Sequence, residues 1–305
     1  MVQVRDQSHL GPAGRVDLEQ WLENLPVELS EAECSRLLSA CRMAQDALDV
    51  PGIDSEDWAL EQNCFTAGLD IALILAELQV GSDCLIAGIL YRAVREQRLS
   101  LEVVEQTFGS SVARMIEGVT RMAARGELRT HGDRPVLGQA EGQKHNVRKM
   151  LVALVDDVRV ALIKLAERTC AIRAVKNFEQ RRLSVAREVF DVYAPLAHRL
   201  GIGHLKWELE DLSFRYIYAD AYRKIARLLD GKRGERDQFI IKVKEELSAA
   251  LRNAGLEVEI DGRAKHIYSI WRKMQRKGIG FSQVYDIRAV RILVPEIKDC
   301  YATLG

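Results

Sequence analysis

The sequence predicts a mostly α-helical protein that ends in a short α/β segment, and three observations carry that prediction. Only 6 of the 305 residues are proline, so long helices can run uninterrupted. Hydrophobic residues make up 48% of the chain and charged residues 29%, the balance of a globular protein. Strand patterns are found after Gly255, where two of them flank one helical pattern. A length of 305 residues favours two domains.

The helical elements follow in order. DLEQWLENL (17–25) opens the first, and SEAECSRLLSACRMAQDAL (30–48) continues until Val50-Pro51-Gly52 breaks the chain. Residues 57–78 and 83–97 read as two helices, and 101–124 as a single further one. The stretch from Arg125 to about Gln143, rich in glycine and charge and containing Pro135, reads as a loop, with His131 and His145 as loop and cap residues. A long helix at 146–170 carries Val147, Met150, Leu151, Leu154, Val158, Leu162 and Leu165 on one stripe, its expected core face. Gly201 and Gly203 interrupt a helix pair at 193–217, and the domain joint is placed there.

Composition narrows the function classes. With 44 basic and 44 acidic residues the net charge is zero, which argues against nucleic-acid binding over the whole surface. The densest basic cluster, Arg215, Arg223, Lys224, Arg227, Lys232, Arg233 and Arg236, is more often a solvated helix surface than an RNA site. Cysteines 34, 41, 64, 84, 170 and 300 show no C-x-x-C spacing and no pairing with histidine, so neither zinc nor a disulfide framework is indicated. Inert thiols in a reducing cytosol are the simple reading. Met1 to Gln7 is polar, without a secretory apolar core, and no apolar run approaches the roughly 18 residues of a membrane span. A cytoplasmic protein without membrane contact is expected.

The most informative stretch is GRAKHIYSIWRKMQRKGIGFSQVYDIRAVRILV (262–294). On a helix, Lys265, Ser269, Arg272, Lys273 and Arg276 fall within an arc of about 100°, while Ile267, Ile270, Trp271 and Met274 repeat at i, i+3, i+4, i+7 on the other side. One face is core and the other a cationic rail. Before it, Leu256, Val258 and Ile260 alternate with Glu257, Glu259 and Asp261 until Gly262 ends the pattern. After it, residues 287–294 are apolar on both parities, as in a central strand, so Arg291 is expected to need a buried anionic partner or a ligand. Asp286 stands at the entrance to that strand and shares a strand face with Arg288. Most basic helix faces are merely solvated, but a serine in the middle of the rail is not a solubilising choice.

These same residues carry a resemblance. G-R-x-K-x-x-x-S-I-x-x-K-M followed by D-I-x-A-x-R-I resembles the start of the synthetase domain of the RelA/SpoT family. YAPLAHRLGIGHLKWELEDLSFRY (193–216) resembles the segment joining that family's two domains, and NVRKMLVALVDDVRVALIKLAERT (146–169) a long helix of its N-terminal domain. The resemblance implies an all-helical HD-type hydrolase-like domain at 1–196, a helical linker at 197–235, and at 236–305 the beginning of an α/β nucleotidyltransferase-like synthetase domain. The implied chemistry is transfer of pyrophosphate from ATP to the 3′-hydroxyl of GTP or GDP, making (p)ppGpp in the stringent response. By motif position, Arg263, Lys265 and Lys273 match residues that hold ATP, Ser269 matches the serine beside them, and Asp286 matches a Mg²⁺ ligand. Cations that neutralise transferring phosphoryl oxygens and a carboxylate that holds the bridging metal suit those roles.

The resemblance also shows what is missing. The family's N-terminal domain is a Mn²⁺-dependent hydrolase with His and His-Asp ligands, but here Ala67 stands at the first histidine position and Tyr91-Arg92 at the His-Asp pair. Arg95-Glu96 replaces an acidic pair, Glu167 the last aspartate, and Cys170-Ala171 a His-Asn. No Mn²⁺ and no hydrolase activity are expected, which resembles the monofunctional, ribosome-associated branch. Arg92 either holds an anion in the old pocket or, as the simpler reading, points to solvent or pairs with Glu96 at i+4. The family's base, second metal ligand and guanine-stacking tyrosine match positions expected beyond Gly305, so the chain is read as an N-terminal portion without a complete catalytic set. Ribosome and uncharged tRNA are the implied partners, through C-terminal domains. A non-catalytic regulatory module that binds a nucleotide or a partner is the alternative.

Overall fold

The computed structural model describes residues 16–53, 62–130, 157–230, 233–284 and 287–304. The described chain is 77% helical, with one two-stranded sheet, as the fold class requires. It divides into two compact units, one ending at Leu209 and one beginning at Glu210. Among the described residues no helix is long and apolar enough to cross a membrane.

The first unit is built from α1 (Leu18–Glu23), α2 (Glu31–Asp46), α3 (Cys64–Glu77), α4 (Ser82–Arg95), α5 (Leu101–Phe108), α6 (Ser110–Thr130), α7 (Val158–Ala174), α8 (Glu179–Glu188) and α9 (Ala194–Arg199). Polar side chains start these helices where their first amides lack intrahelical partners: Asp17 caps α1, Asn63 caps α3, Ser100 caps α5, and Ser30 with Glu33 closes a capping box on α2. The helix expected at 101–124 is two helices, because Gly109 takes φ +93° between α5 and α6. In the other direction α6 runs through Thr130, into the expected loop. Arg125, Glu127, Leu128 and Arg129 are strong helix formers and offset Gly126. The rest of that loop, with His131 and His145, lies outside the described residues.

The tightest packing joins α3 to α4. A Cβ placed on Gly68 would overlap the backbone carbonyl of Ile89, and one on Gly88 would sit 2.8 Å from Leu75 Cδ1. Against this hairpin lies α7, buried from Val160 to Ile172 apart from half-buried Leu162. The single-stripe expectation for this helix is therefore corrected: Val158 is exposed, and the burial surrounds the helix because α3, α4, α6 and α8 all pack on it. Residues 147–154 of the expected stripe lie outside the described residues. A five-residue π-helical turn (Val189–Tyr193) leads into α9, and Gly201 at φ +76° turns the chain into α10 (Gly203–Ile217).

The second unit begins within α10 and adds α11 (Ala219–Asp230), α12 (Arg233–Asn253), β1 (Glu259–Ala264), α13 (Ile267–Lys277), β2 (Arg288–Leu293) and α14 (Ile297–Leu304). The strands run antiparallel, with Asp261 opposite Arg291 and Gly262 opposite Val290. Two expectations are corrected here. Gly262 lies inside β1 rather than ending it; its missing side chain admits Ile240 of α12, whose Cγ2 would stand 2.7 Å from a Cβ. Arg291 is not buried: among the described residues β2 has a single strand neighbour, and the Arg291–Asp261 pair at 3.7 Å is 58% exposed on both sides. The unit's core is Phe214, Ile225, Ile267, Ile270 and Val284, with Trp271 and Met274 packed against it.

Gly68 sets the α3–α4 distance through backbone contact, which no rotamer change can relieve. Gly68→Ala is expected to cost about 2–3 kcal/mol of stability, read as a lowered midpoint of chemical denaturation with an unchanged m-value. A neutral substitution would show that the hairpin can open without loss.

Candidate functional site

The cationic rail exists as the sequence suggested. Helix α13 ends at Gly278, which takes the left-handed conformation (φ +61°) of a C-terminal cap. Its N-terminal position is held by His266, whose side chain makes no capping bond. Instead the Asp211 carboxylate accepts the amide N–H of Tyr268 at 2.8 Å and of Ile267 at 3.3 Å. Burial pushes Asp211 up to about 6, although both amides pull it down.

Facing away from the core, Lys265, Ser269, Arg272, Lys273, Arg276 and Lys277 line one shallow pocket of about 320 Å³. Five of the six side chains are cations and none is acidic, so the pocket's chemistry is that of an anion site. Lys265, Ser269 and Lys273 are half-buried, while Arg272, Arg276 and Lys277 are exposed. Lys277 was missed by the sequence reading, though it continues the four-residue spacing 265, 269, 273. Arg263 belongs to β1, two residues before Lys265. Asp286 lies outside the described residues.

In the first unit, the residues that the sequence resemblance sets at the hydrolase positions, Ala67, Tyr91, Arg92, Glu167 and Ala171, are all buried. Ala67, Tyr91 and Ala171 have no exposed surface, and neither alanine carries a donor atom. Arg92, only 1% exposed, does not reach solvent; it donates to Glu96 Oε1 from Nη2 at 2.6 Å and from Nε at 3.2 Å. The pairing half of the simpler reading therefore holds and the solvent half does not. Arg98 donates to the other Glu96 oxygen at 3.1 Å and to the Val50 carbonyl at 2.7 Å.

Glu167 has no exposed surface. Around its carboxylate stand Lys164 Nζ at 2.6 Å, Arg168 Nε at 3.4 Å and Arg95 Nη1 at 3.5 Å. Arg168 reaches on to Glu188 at 3.3 Å and lies 5.7 Å from the centre of the Tyr193 ring. Burial alone would raise the Glu167 carboxyl, but Arg168, Lys164 and Arg95 outweigh it and hold the group well below the usual carboxylate range. Burial, helped by Arg168 and Arg95, pushes Lys164 down to about 8. Burial likewise raises the Tyr91 hydroxyl, which finds no hydrogen-bond partner among the described residues. Sequence reasoning missed Lys164. Its signal was a lysine, a glutamate and an arginine within LIKLAER on a helix with no polar face.

Among the described residues no three histidine, cysteine, aspartate or glutamate side chains gather as a metal site would require. The cysteines are free thiols; burial pushes Cys41 and Cys84 up to about 12, which makes them poor nucleophiles.

Known proteins match both units. A family model described as "HD domain" covers residues 40–203, and one described as "Region found in RelA / SpoT proteins" covers residues 262–305. The chain is 40% identical over its whole length to a GTP pyrophosphokinase of Escherichia coli (strain K12), of which it covers 40%. It is 39% identical over its whole length to a GTP pyrophosphokinase of Haemophilus influenzae, again covering 40%. Against the bifunctional (p)ppGpp synthase/hydrolase SpoT of Escherichia coli (strain K12) it is 36% identical over 91% of its length and 38% of that protein's. The chain thus spans about two fifths of the length of these curated relatives.

The Glu167 cluster yields a pH prediction. A carboxyl held below its unfolded value of 4.5 contributes stability that is present above about pH 4.5 and is lost as pH falls through the folded value. Glu167→Gln leaves the buried Lys164 and Arg168 and the half-buried Arg95 without their carboxylate, at a cost of about 3–5 kcal/mol near neutrality. The gap in Tm between wild type and variant is expected to narrow steadily as pH drops below 4.5. A gap that is constant with pH would show that the carboxylate is not ionised in the folded protein.

Proposed function

The chain belongs to the RelA/SpoT family, and from that premise we propose that it carries the ATP-binding part of a (p)ppGpp synthetase. The reaction is transfer of pyrophosphate from ATP to the 3′-hydroxyl of GTP or GDP. The observation that carries this reading is the pocket on α13, where Lys265, Ser269 and Lys273 stand beside three further cations. A triphosphate spreads its charge over several oxygens spaced along a chain, and a row of cations one helical turn apart meets it better than any single charge. Lys265 and Lys273, half-buried, sit in a lower effective dielectric than the exposed arginines and are assigned the phosphates directly. Ser269 supplies a neutral hydroxyl between them, and Arg263 precedes them on β1. Asp286 would hold a Mg²⁺ ion there, which would supply positive charge to the polyphosphate. The ribosome and uncharged tRNA are the proposed partners of the whole protein, and the cytoplasm its proposed location.

The first unit supports no metal-dependent hydrolysis in this reading. A divalent cation at the family's position would find one carboxylate, Glu167, already enclosed by Lys164, Arg95 and Arg168, with Ala67 and Tyr91 where imidazoles should be. Those residues do not fit Mn²⁺. That filled position favours a second role for the unit, as a regulatory or scaffolding module.

Calorimetric titration with a non-hydrolysable ATP analogue and Mg²⁺ tests the reading. Lys273→Ala is expected to weaken binding by about tenfold or more, the value of one charge-assisted hydrogen bond. Lys298→Ala, which removes an exposed lysine paired with Glu296, is expected to leave it unchanged. Equal loss in both variants, or no binding by the wild type, would overturn the assignment.

A further inference from the structure

Helix α13 is attached to α10 at two points. Asp211, Phe214 and Tyr218 follow at i, i+3 and i+7, so they share one face of α10. Phe214 packs on Trp271 with ring centroids 4.9 Å apart and on Tyr268 at 5.6 Å, and Tyr218 stacks on Trp271 at 5.3 Å. These contacts, with Ile267 and Ile270 in the core beside Ile225, hold the apolar face of α13. One turn earlier, Asp211 takes the first two amides of α13, those of Ile267 and Tyr268. Those bonds act on the backbone of the first turn, beside Lys265 and Ser269.

We infer that Asp211 is a positioning residue for nucleotide binding: its carboxylate seats the start of α13 and so sets where Lys265 and Ser269 stand. The inference rests on the ATP reading of the α13 pocket. Lys265 lies two residues before the helix and Ser269 is its third residue, so both are within one turn of the bonds that Asp211 accepts. A shift of that first turn displaces them more than Lys273 or Arg276, which lie beyond Trp271 in the next turns.

The bond also decides how phosphate is recognised. A bare helix N-terminus offers its free amides to an anion. Here two of them already face a carboxylate, 4% exposed, on the partner helix. The pocket therefore reads phosphate through side chains on the flank of α13, and the helix end serves to hold the helix in place. Because the two oxygens of Asp211 serve different amides, Oδ2 for Ile267 and Oδ1 for Tyr268, the site discriminates between a carboxylate and an amide. In this geometry asparagine keeps one of those oxygens and turns an NH2 donor toward the other amide, which loses its acceptor.

The test compares the wild type with Asp211→Asn and Asp211→Ala by two measurements: amide hydrogen exchange at Ile267 and Tyr268, and affinity for a non-hydrolysable ATP analogue and for inorganic tripolyphosphate. Asparagine is expected to release one amide and weaken both ligands by about threefold, and alanine to release both and weaken them by about tenfold, since a lost cap is typically worth that range. Faster exchange with unchanged affinity would overturn the inference, leaving Asp211 a cap and nothing more; unchanged exchange in both variants would overturn it as well. If alanine unfolds the second unit, the asparagine variant decides by the same two measurements. A wild type that binds tripolyphosphate but not the ATP analogue would sink the ATP reading while leaving the positioning claim to be judged on tripolyphosphate; binding of neither would remove both.

Discussion

A carboxylate with no exposed surface must be neutralised where it stands, and Glu167 is the residue around which the first unit meets that demand. Leaving an ionised group unpaired in such a place costs several kcal/mol, comparable to the whole stability of a domain. Lys164 answers from one turn earlier on the same helix, Arg95 from α4, and Arg168 from the next position, with Glu188 of α8 balancing Arg168 in turn. The cluster therefore ties α4, α7 and α8 together from inside. It also explains how α7 can be surrounded by other helices while carrying three charged residues in its central turns. Gly68 and Gly88, by letting α3 and α4 approach to backbone contact, shape the hairpin against which that cluster closes.

The charges on α13 follow the opposite logic. The cations lining its pocket are half-buried or exposed, so each keeps part of its hydration and costs little to hold in place. Mutual repulsion among them is tolerable in a high dielectric, at roughly 1 kcal/mol per pair at 4 Å in water. An incoming polyphosphate raises that value by displacing water. The contrast separates two kinds of charge cluster in one chain of zero net charge. In the first unit acids and bases meet one another within the protein; in the α13 pocket the lining is of one sign and is complemented by a ligand in the proposed reading.

Helix α13 was legible in the sequence because it is amphipathic: the apolar stripe Ile267, Ile270, Trp271, Met274 and the cationic stripe each follow the helical period, and both faces are found where the period puts them. Helix α7 was not, because a helix buried on all sides has no polar face to set the phase, and a one-stripe reading put exposed Val158 in the core. Arg291 was misread for a related reason. Apolar residues on both parities of β2 suggested a strand covered on both faces, but its single antiparallel neighbour leaves Leu293 45% exposed and Arg291 at the surface. Gly262 shows the limit of local punctuation: glycine ends a strand pattern in the sequence, yet here it is kept inside β1 by the approach of Ile240 from another helix. The Asp211 bond lay beyond any local pattern, since its partners are 56 and 57 residues away.

The state of the first unit's interior also bears on whether a metal ion could be held there. A divalent cation placed beside Glu167 would stand within several ångströms of Lys164, Arg95 and Arg168. At about 4 Å and an effective dielectric near 20, each such contact would oppose a dication by roughly 8 kcal/mol, twice the figure for two unit charges. One carboxylate does not offset three such terms. Placing a histidine at Ala67 or an aspartate at Arg92 would supply a ligand atom while leaving the cations around Glu167 in place, and the histidine would bury a further polar group in a packed interior. Metal ions and internal cations are thus alternative ways of neutralising a buried carboxylate. Lys164 holds this balance most directly, because its ammonium already occupies the closest approach to the Glu167 carboxylate, at 2.6 Å.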